Sequence, residues 1–539
     1  MLSYQNEIGY VVNNISLPFN ASIQEAFSVA RARIRKLGII DSDLTYSIFR
    51  RSVDARKKGS IKFVYSIRVG GRLPTINESR LAKQGISLDT YSAPVIERGD
   101  REITHGPVVV GSGPCGLFCA LLLAENGLRP TLIERGGSIS ERRAAVDRFT
   151  SERVLDTDSN IQFGAGGAGT FSDGKLVTRI NDSLSGYVLE RLIDHGAPED
   201  IRYIAKPHIG TDVLSTVVER ILDRISALGG RVMYHTTLTG YKCSGGRVTA
   251  ACTNRGDIPC DDLVIAVGHS ARDTYDYLIS SGLSIEAKSF SIGMRIEHPT
   301  RLIDTALYGD DAGNPILGHA EYNLAYNTRE RGVYTFCMCP GGVVVAATSE
   351  EGGVVTNGMS YHARDGRNSN SAVLCSVFKD DFGGDPRRAI ALQRQIEHAA
   401  FVAGGSDYSA PIVTVGDFLG GGLSAEPTEV IPTYMDGIGV KLARPEMYLP
   451  SVITDGIKNG LRDFDKKING FASHSAILTG AETRTSAPLR ILRDNTSGVA
   501  HGFTNLYPAG EGAGYAGGIT SAAIDGVKTA LHILRRYKI

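Results

Sequence analysis

Residues 107–134 constrain the fold of this chain more than any other stretch. They read PVVVGSGPCGLFCALLLAENGLRPTLIE: an apolar run, a G-x-G-x-x-G, an apolar helical run ended by Asn126-Gly127, a second apolar run, and then Glu134. A strand, a glycine turn, a helix and a strand that ends in an acid about 20 positions past the glycines form a dinucleotide-binding fingerprint. The other interpretation is a glycine-rich turn in an ordinary α/β sheet. A membrane span is discounted, because three glycines and two prolines break the uncharged segment 107–124.

Each part of the fingerprint has a physical role. Gly111 permits the tight turn, Gly113 lets the backbone approach a pyrophosphate, and Gly116 lets helix and strand pack closely. The free N–H groups and partial positive charge of the helix N-terminus attract phosphates. Glu134 can accept both hydroxyl hydrogens of an adenosine ribose. The basic helix after Glu134 contacts phosphate or is simply a solvated face. We predict a binding set at this end of Gly111, Ser112, Gly113, Pro114, Cys115, Gly116, Glu134, Arg135 and Arg143.

The composition is that of an ordinary globular protein. The chain has 539 residues, of which 42% are hydrophobic and 22% charged, and this length suits roughly two to four domains. Lys plus Arg and Asp plus Glu both number 58, so net charge indicates no polyanionic partner. The 8 cysteines contain no C-x-x-C, and the close pair Cys337-x-Cys339 has apolar neighbours. Finding neither a signal peptide nor a membrane span, we predict reduced cysteines, no metal site and a cytoplasmic location.

Residues 1–98 are predicted to form a small N-terminal α+β domain with the order β-α-β-β. The strands are 10–17, 47–53 and 61–69, the helix runs from the capping box Ser22-Ile23-Gln24-Glu25 to about Lys36, and residues 73–105 are interpreted as a linker. The hairpin carries eight cations against one acid, Asp54: Arg50, Arg51, Arg56, Lys57, Lys58, Lys62, Arg68 and Arg72. This face is either solvated or docks an anionic partner such as RNA or a phosphorylated substrate.

Residues 160–175 form a second glycine-rich stretch, NIQFGAGGAGTFSDGK, with five glycines in eleven residues. Such a density excludes a helix or strand interior and lets the chain wrap flat against a ligand. Phe163, Phe171 and Leu176 can anchor it; the other interpretation is a flexible loop. We expect a flat ring to lie against Gly164, Gly166, Gly167, Gly169 and Thr170, with Lys175 beside it.

The remaining chain predicts an α/β fold with an insertion. Residues 99–285 and 471–539 are expected to form two parts of one Rossmann-like domain, and residues 286–470 an inserted α+β substrate domain built on an antiparallel sheet. Leu238, Ala266 and Gly268 lie at expected strand ends that approach the nucleotide. His269 beside them is either catalytic or a packed loop residue.

The last strand and helix complete the pattern. Leu506 to Glu511 ends a strand in Gly-Glu, and a glycine-rich turn opens the final helix, 520–536. An acid after a strand can hold a ribityl hydroxyl, and a helix N-terminus stabilises the negative charge that gathers on a reduced flavin. A capped surface helix is the other interpretation. Gly510, Glu511, Gly517, Gly518 and Ile519 therefore join the predicted binding set.

With these three motifs in place, the chain resembles FAD-dependent flavoproteins of the glutathione-reductase type. It is most similar to the FAD-dependent, or NAD(FAD)-utilizing, dehydrogenases, on the segments RRSVDARKK, PHIGTD, GAGGAGTFSDGKL, VVTNGMSYHARDGRNSNSA and ETRTSAP. The resemblance implies FAD, held by the fingerprint at one end and by residues 164–170 and Gly510-Glu511 at the other. It implies no particular substrate. The redox C-x-x-x-x-C of glutathione reductase is missing beside the flavin, and so is a second dinucleotide fingerprint, which leaves NAD(P)H open as an electron donor without a dedicated motif.

The leading hypothesis is an FAD-dependent oxidoreductase that passes hydride between a small-molecule substrate and flavin N5. Glu482, Arg484, His269 and Lys175 are the candidate catalytic residues: Arg484 can clamp a carboxylate, and Glu482 or His269 can act as base. Glu482 and Arg484 equally suit a structural role in tying down their loop. The alternative function is an RNA-modifying or RNA-binding flavoprotein, supported only by the basic hairpin. A mainly structural flavoprotein and any oligomeric state are left open.

Overall fold

The computed structural model describes residues 9–40, 42–89, 93–178, 182–328, 330–423, 427 and 429–538. It confirms the predicted fold class, a Rossmann-like α/β part combined with further α+β structure. Among the described residues, no helix combines the length and the apolar composition needed to cross a bilayer.

The N-terminal part is a four-stranded antiparallel sheet with the order β2-β3-β1-β4. Its elements are β1 (Tyr10–Pro18), α1 (Ile23–Arg35), β2 (Leu44–Asp54), β3 (Lys62–Gly71), α2 (Glu78–Ala82) and β4 (Ile86–Leu88). The capping box opens α1 as predicted, with the Ser22 N–H donating to the Glu25 carboxylate at 3.0 Å. The segment that we interpreted as a linker contributes α2 and β4, because elements of five and three residues are too short to show periodicity.

The first nucleotide-binding part runs from β5 to β12. Its elements are β5 (Val108–Val110), α3 (Pro114–Glu125), β6 (Thr131–Ile133), α4 (Ile139–Glu152), α5 (Leu184–Asp194), α6 (Thr211–Ala227), β7 (Arg231–Met233), β8 (Leu238–Ser244), β9 (Arg247–Thr253), β10 (Gly256–Pro259), β11 (Leu263–Ile265), α7 (Arg272–Ser280) and β12 (Ile285–Ala287). Strands β8 to β10 form a separate three-stranded antiparallel sheet. The strand expected over 231–238 is divided, since His235 adopts a φ of 52° and turns the chain between β7 and β8.

The following region is built on a seven-stranded sheet with the order β14-β15-β18-β13-β21-β19-β20. Its pairs are antiparallel except β19 with β20. The elements are β13 (Phe290–Pro299), α8 (Thr300–Tyr308), β14 (Ala325–Asn327), β15 (Gly332–Cys339), β16 (Val343–Ala346), β17 (Thr356–Met359), β18 (Asn368–Val377), α9 (Pro386–Ala403), β19 (Ala410–Thr414), α10 (Val415–Gly420), β20 (Val440–Leu442), α11 (Ser451–Lys467) and β21 (Ile477–Glu482). Strand β21 pairs within this sheet, although our division of the chain grouped residues after 470 with the nucleotide-binding part.

The chain then returns to the nucleotide-binding part through β22 (Leu489–Ile491), β23 (Leu506–Pro508) and α12 (Ile519–Leu534). This completes a five-stranded parallel sheet with the order β23-β11-β5-β6-β7. Helix α12 packs tightly on α3: a Cβ added at Gly526 would lie 2.0 Å from the Cys115 carbonyl oxygen. The last helix of the chain therefore packs directly against the helix of the fingerprint.

Arg142 on α4 organises the second glycine-rich stretch. Its side chain is fully buried and its guanidinium donates to the carbonyls of Asn160, Ile161, Ala165 and Gly167 at 2.7–2.9 Å. A glycine-rich loop has many backbone carbonyls and few side chains to satisfy them, and a buried carbonyl without a donor is costly. One arginine thus supplies the hydrogen bonds that give the loop a defined shape.

We expect Arg142→Met to lower the free energy of unfolding by about 3 kcal/mol or more, since four carbonyls lose their donor. Retained FAD per chain should fall with it. The matched control is Arg143→Met on the exposed face of the same helix, which should change stability by no more than about 0.5 kcal/mol. Denaturant unfolding and the flavin content of the purified proteins measure both effects. Equal unfolding midpoints for the two variants would show that the loop does not depend on Arg142.

Candidate functional site

A cavity of about 400 Å³ lies between the carboxyl ends of the parallel strands and the seven-stranded sheet. The fingerprint and the N-terminus of α12 line it on one side, and residues of β15, β17 and β21 line it on the other. This volume is within the range of about 300–1,000 Å³ that is usual for small-molecule and cofactor sites.

The fingerprint end has the backbone geometry that the sequence predicts. Gly111 has a φ of 95°, and a Cβ there would lie 2.5 Å from the Ala266 carbonyl oxygen. A Cβ at Gly116 would lie 1.9 Å from the Gly111 carbonyl oxygen, so helix and turn meet without side chains between them. Gly113 lines the cavity, and a Cβ there would meet only Gly167 Cα, at 3.8 Å. The N-terminus of α3 is therefore open to a phosphate group.

Glu134 is a buried junction of three loops that also lines the cavity. One carboxylate oxygen accepts from the N–H and the hydroxyl of Ser112 at 2.9 and 2.7 Å. The other accepts from the N–H groups of Gly136 and Gly164 at 3.0 Å each. Glu134 thus aligns the fingerprint with the second glycine-rich stretch, in addition to facing the site where a ribose was predicted.

The arginines after Glu134 are divided between two roles. Arg135 lines the cavity, lies 4.4 Å above the Phe163 ring and pairs with Asp273 at 2.8 Å. Arg143, which we predicted to bind cofactor, is exposed and does not line the cavity. Its neighbour Arg142 faces inward, and the sequence pattern alone did not distinguish the two because both lie on one basic helix.

Most of the other predicted binding residues also reach the cavity. Those that line it are Pro114, Cys115, Gly164, Gly167, Gly169, Leu238, Ala266, Gly268, Glu511, Gly517, Gly518 and Ile519. The remaining ones do not line it: Ser112, Gly116, Gly166, Thr170 and Gly510.

Burial raises the pKa of Glu511 to about 7, although the Gly518 N–H favours its charged form. Glu511 therefore changes protonation state in the neutral range, beside the N-terminus of α12.

All four residues predicted to be catalytic line the far end of the cavity: Lys175, His269, Glu482 and Arg484. Residues that the sequence reasoning missed lie beside them: Asn323, Thr335, Phe336, Cys337 and Asn357. Four of these five residues lie on or next to the strands of the seven-stranded sheet. Cys337 had been noted only as one of a close pair of cysteines, and Asn357 only within a segment that carries the resemblance, so nothing in the pattern placed these residues at a site.

Glu482 is held by Arg295, an arginine of β13 that is fully buried. Arg295 donates to the two carboxylate oxygens at 3.0 and 3.1 Å. Burial raises the pKa of Glu482, and the positive charge of Arg295 opposes this rise. Arg295 therefore fixes the position of the Glu482 carboxyl group at the cavity and also favours its charged form.

Arg484 belongs to a buried ion-pair network that crosses between helices. It donates to Glu397 of α9 at 2.9 and 3.2 Å and to the Ser349 hydroxyl. Glu397 also accepts from Arg272 of α7 at 2.7 and 2.8 Å. Arg484 lines the cavity, and these bonds leave some of its guanidinium N–H groups without an acceptor. Arg484 can therefore both stabilise the network and donate to a ligand.

His269 is neutral at physiological pH. Burial lowers its pKa to about 4, and the nearby positive charges of Arg484 and Arg272 act in the same direction. Its Nδ1 lies 2.9 Å from the Ser270 hydroxyl, which donates to the Gln162 side-chain oxygen at 3.1 Å. Since that hydroxyl proton is used by Gln162, Nδ1–H is the donor to Ser270, and Nε2 is left as a hydrogen-bond acceptor.

Lys175 lines the cavity and belongs to a cluster of charged side chains. Its Nζ lies 2.9 Å from Asp173 and 3.3 Å from Glu321, and Arg364 pairs with the same two acids. Burial lowers the pKa of Lys175, but the two carboxylates outweigh burial and raise it overall, so the ammonium stays charged. With Lys206 3.6 Å from Glu321, three cations face two acids, and the cluster is net positive. In the part of the chain that the structure describes, no group of His, Cys, Asp and Glu is arranged to hold a metal ion.

Comparison with known proteins agrees with this geometry. The family described as "FAD-dependent protein, C-terminal domain-like" matches residues 289–485, and an "NAD(P)-binding Rossmann-like domain" matches residues 109–168. A domain of unknown function matches residues 11–70. The nucleotide-binding match falls on the fingerprint already described.

One full-length relative is an uncharacterized protein of Clostridium beijerinckii. It is 45% identical over 534 residues, covering 98% of this chain and 99% of the relative. Among solved structures, the L-amino acid deaminase of Proteus vulgaris has a TM-score of 0.32 and 13% identity over 83% of this chain and 97% of that chain. The glycine oxidase of Bacillus cereus has a TM-score of 0.32 and 10% identity over 81% and 99%. Both structural likenesses are too distant to support an argument about this chain.

The donor-rich glycine turns, the acid after β6 and the two helix N-termini at one cavity fit FAD, so the predicted cofactor is confirmed by both structure and family. The chain belongs to the same family as the Clostridium protein, a family of FAD-dependent proteins, and it is an FAD-dependent oxidoreductase.

Proposed function

We propose that FAD binds with its adenosine and pyrophosphate at the fingerprint and its ring system toward Lys175, His269 and Glu482, where a small anionic substrate reaches it. The observation that carries this proposal is the continuity of the cavity, which joins Glu134 at one end to all four predicted catalytic residues at the other. The substrate end is formed by Lys175, Asn323, Phe336 and Asn357. A cation, two amides and an aromatic ring are suited to a small molecule with a carboxylate and an apolar part.

The chemistry at this site needs orientation and proton transfer from the protein. Bound FAD supplies the hydride acceptor or donor at N5 of its ring. Lys175 contributes a fixed positive charge for the substrate anion. Glu482 is the stronger candidate for the base, since its pKa is raised, whereas the lowered pKa of His269 makes its Nε2 an acceptor that orients a donor group.

No observation favours the alternative of an RNA-directed flavoprotein. None of the eight hairpin cations lines the cavity, and Arg51 in the hairpin instead joins β2 to residues 203–205 through two backbone hydrogen bonds of 2.7 and 2.8 Å. The Rossmann-like match covers the fingerprint at residues 109–168, and NAD(P)H stays open as an electron donor without a dedicated sequence motif.

Glu134→Ala should weaken FAD binding by about tenfold or more. The substitution removes the acceptor for four donors at the junction of three loops, and each unpaired buried donor costs about 1–3 kcal/mol. FAD dissociation constants from fluorescence titration of the stripped and reloaded protein provide the measurement. Glu152→Ala removes an exposed carboxylate on α4 and should leave the affinity unchanged. An unaltered affinity in Glu134→Ala would remove this residue from the binding site.

Lys175→Met should weaken binding of simple carboxylates to the holoenzyme by about tenfold to a hundredfold, the loss expected for one charge-assisted hydrogen bond. Titration with acetate, lactate and glycine, followed by the shift in flavin absorbance, measures the binding. Arg364 still pairs with Asp173 and Glu321 in this variant, so the fold should survive.

The matched control for this test is Lys206→Met, which removes a cation from the same cluster at a residue that does not line the cavity. It should leave carboxylate affinities within about twofold, since only a screened long-range charge is lost. Equal losses in the two variants would mean that the cluster acts only through its net charge, and the proposed contact of Lys175 with the substrate would be wrong.

A further inference from the structure

A bulge in β15 places Cys337 at the wall of the cavity, with the buried Cys339 two residues further along the strand. The pairing of β15 with β18 shifts register between Phe336 and Cys339, and Cys337 within the bulge adopts a φ of 45°. Residues two apart in a regular strand lie roughly 6.6 Å apart. Here the Cys339 thiol donates to the Cys337 carbonyl oxygen at 3.3 Å, and Cys337 lines the cavity. A left-handed backbone is uncommon at a residue other than glycine, and such residues tend to cluster at functional sites.

The surroundings of the pair favour one thiolate and one thiol. Contact with the Cys339 side chain lowers the pKa of Cys337; burial opposes this effect, and the positive charges of Arg295 and Lys175 support it. The same contact raises the pKa of Cys339. Arg295 Nη2 donates to the Cys337 carbonyl at 2.5 Å and lies 3.4 Å from the Cys339 sulfur. The pair therefore lies beside a buried cation.

The remaining cysteines differ from this pair. Cys115 also lines the cavity, but at the fingerprint end, and burial raises its pKa well above the usual value. Burial likewise raises the pKa of Cys260 to about 12 and of Cys375 to about 11. Among the cysteines with a shifted pKa, Cys337 alone has a lowered one, and the thiolate is the reactive form of a cysteine.

We propose that Cys337 and Cys339 form a second redox centre that exchanges two electrons with the bound flavin. The proposal rests on the orientation of FAD inferred above, which directs the ring system toward the end of the cavity where Cys337 lies. In a regular strand, residues two apart lie near the upper limit for a disulfide, for which Cα atoms are about 4.4–6.8 Å apart. The bulge departs from that regular geometry and places the Cys339 sulfur 3.3 Å from the Cys337 carbonyl oxygen.

The step balances with the groups that the protein holds. The Cys337 thiolate and the Cys339 thiol form one sulfur–sulfur bond and break one S–H bond. They release one proton and two electrons, which equal the hydride that the bound flavin accepts. Reduction of the disulfide reverses every part of this step. The protein can then store two electron pairs, so a donor and an acceptor need not occupy the cavity together.

Anaerobic dithionite titration of the oxidised holoenzyme tests the proposal. We expect uptake of four electrons per flavin in the wild type and two in Cys337→Ser and in Cys339→Ala. Thiol counting in denaturant gives a readout that does not depend on activity. Of the eight cysteines, six should react in the oxidised wild type, which is eight minus the two in the disulfide, and eight after reduction. The tryptic peptide 332–364 from the oxidised wild type should be lighter by two hydrogens.

Cys243→Ser is the matched control, since Cys243 is exposed and does not line the cavity. It should keep the four-electron uptake and show five and seven reactive thiols in the two states. Eight reactive thiols in the oxidised wild type would overturn the proposal, and so would an uptake of only two electrons at any thiol count. The carboxylate titration of Lys175→Met does not involve either cysteine, so failure of the proposed function is detected separately.

Discussion

The buried carboxylate of Glu397 is the interaction on which the two sides of the site depend. It lies on α9 and accepts from Arg272 of the nucleotide-binding part and from Arg484 after β21, at 2.7–3.2 Å. The two arginines outweigh burial and hold its pKa well below the usual range. Removing one partner of such a pair leaves a buried charge uncompensated, at a cost of about 3–5 kcal/mol. The position of Arg484 at the cavity is therefore determined by a helix that does not line it.

The other candidate catalytic side chains at the cavity are also held in place by neighbouring residues. Arg295 orients Glu482, Asp173 and Glu321 hold Lys175, and Ser270 orients His269. Groups fixed before a ligand arrives need little reorganisation during a reaction, which is how protein dipoles and charges act most strongly on developing charge. The seven-stranded sheet thus provides a wall opposite the glycine-rich turns, and the cavity lies between them.

The sequence predicted those features that the backbone imposes locally. Gly111 and Gly116 are needed because no Cβ fits there, and this requirement appears as the G-x-G-x-x-G spacing. The sequence was less informative where neighbouring residues have the same chemistry. Arg142 and Arg143 are adjacent arginines on one helix, and only the packing of α4 against residues 160–167 shows which one is buried. In the same way, β4 follows from pairing with β1 rather than from its own composition.

The sequence by itself therefore determined the FAD fingerprint, the Rossmann-like sheet and the glycine turns that line the cavity, because each depends on short-range geometry encoded in consecutive residues. Only the tertiary structure decided that Glu397 pairs with Arg484, that Arg295 pairs with Glu482, and that Cys337 lies at the cavity with Cys339 behind it. These residues are far apart in the chain or, for the two cysteines, depend on a one-residue bulge. Their charges and contacts arise from strand pairing and burial, which spacing alone does not encode.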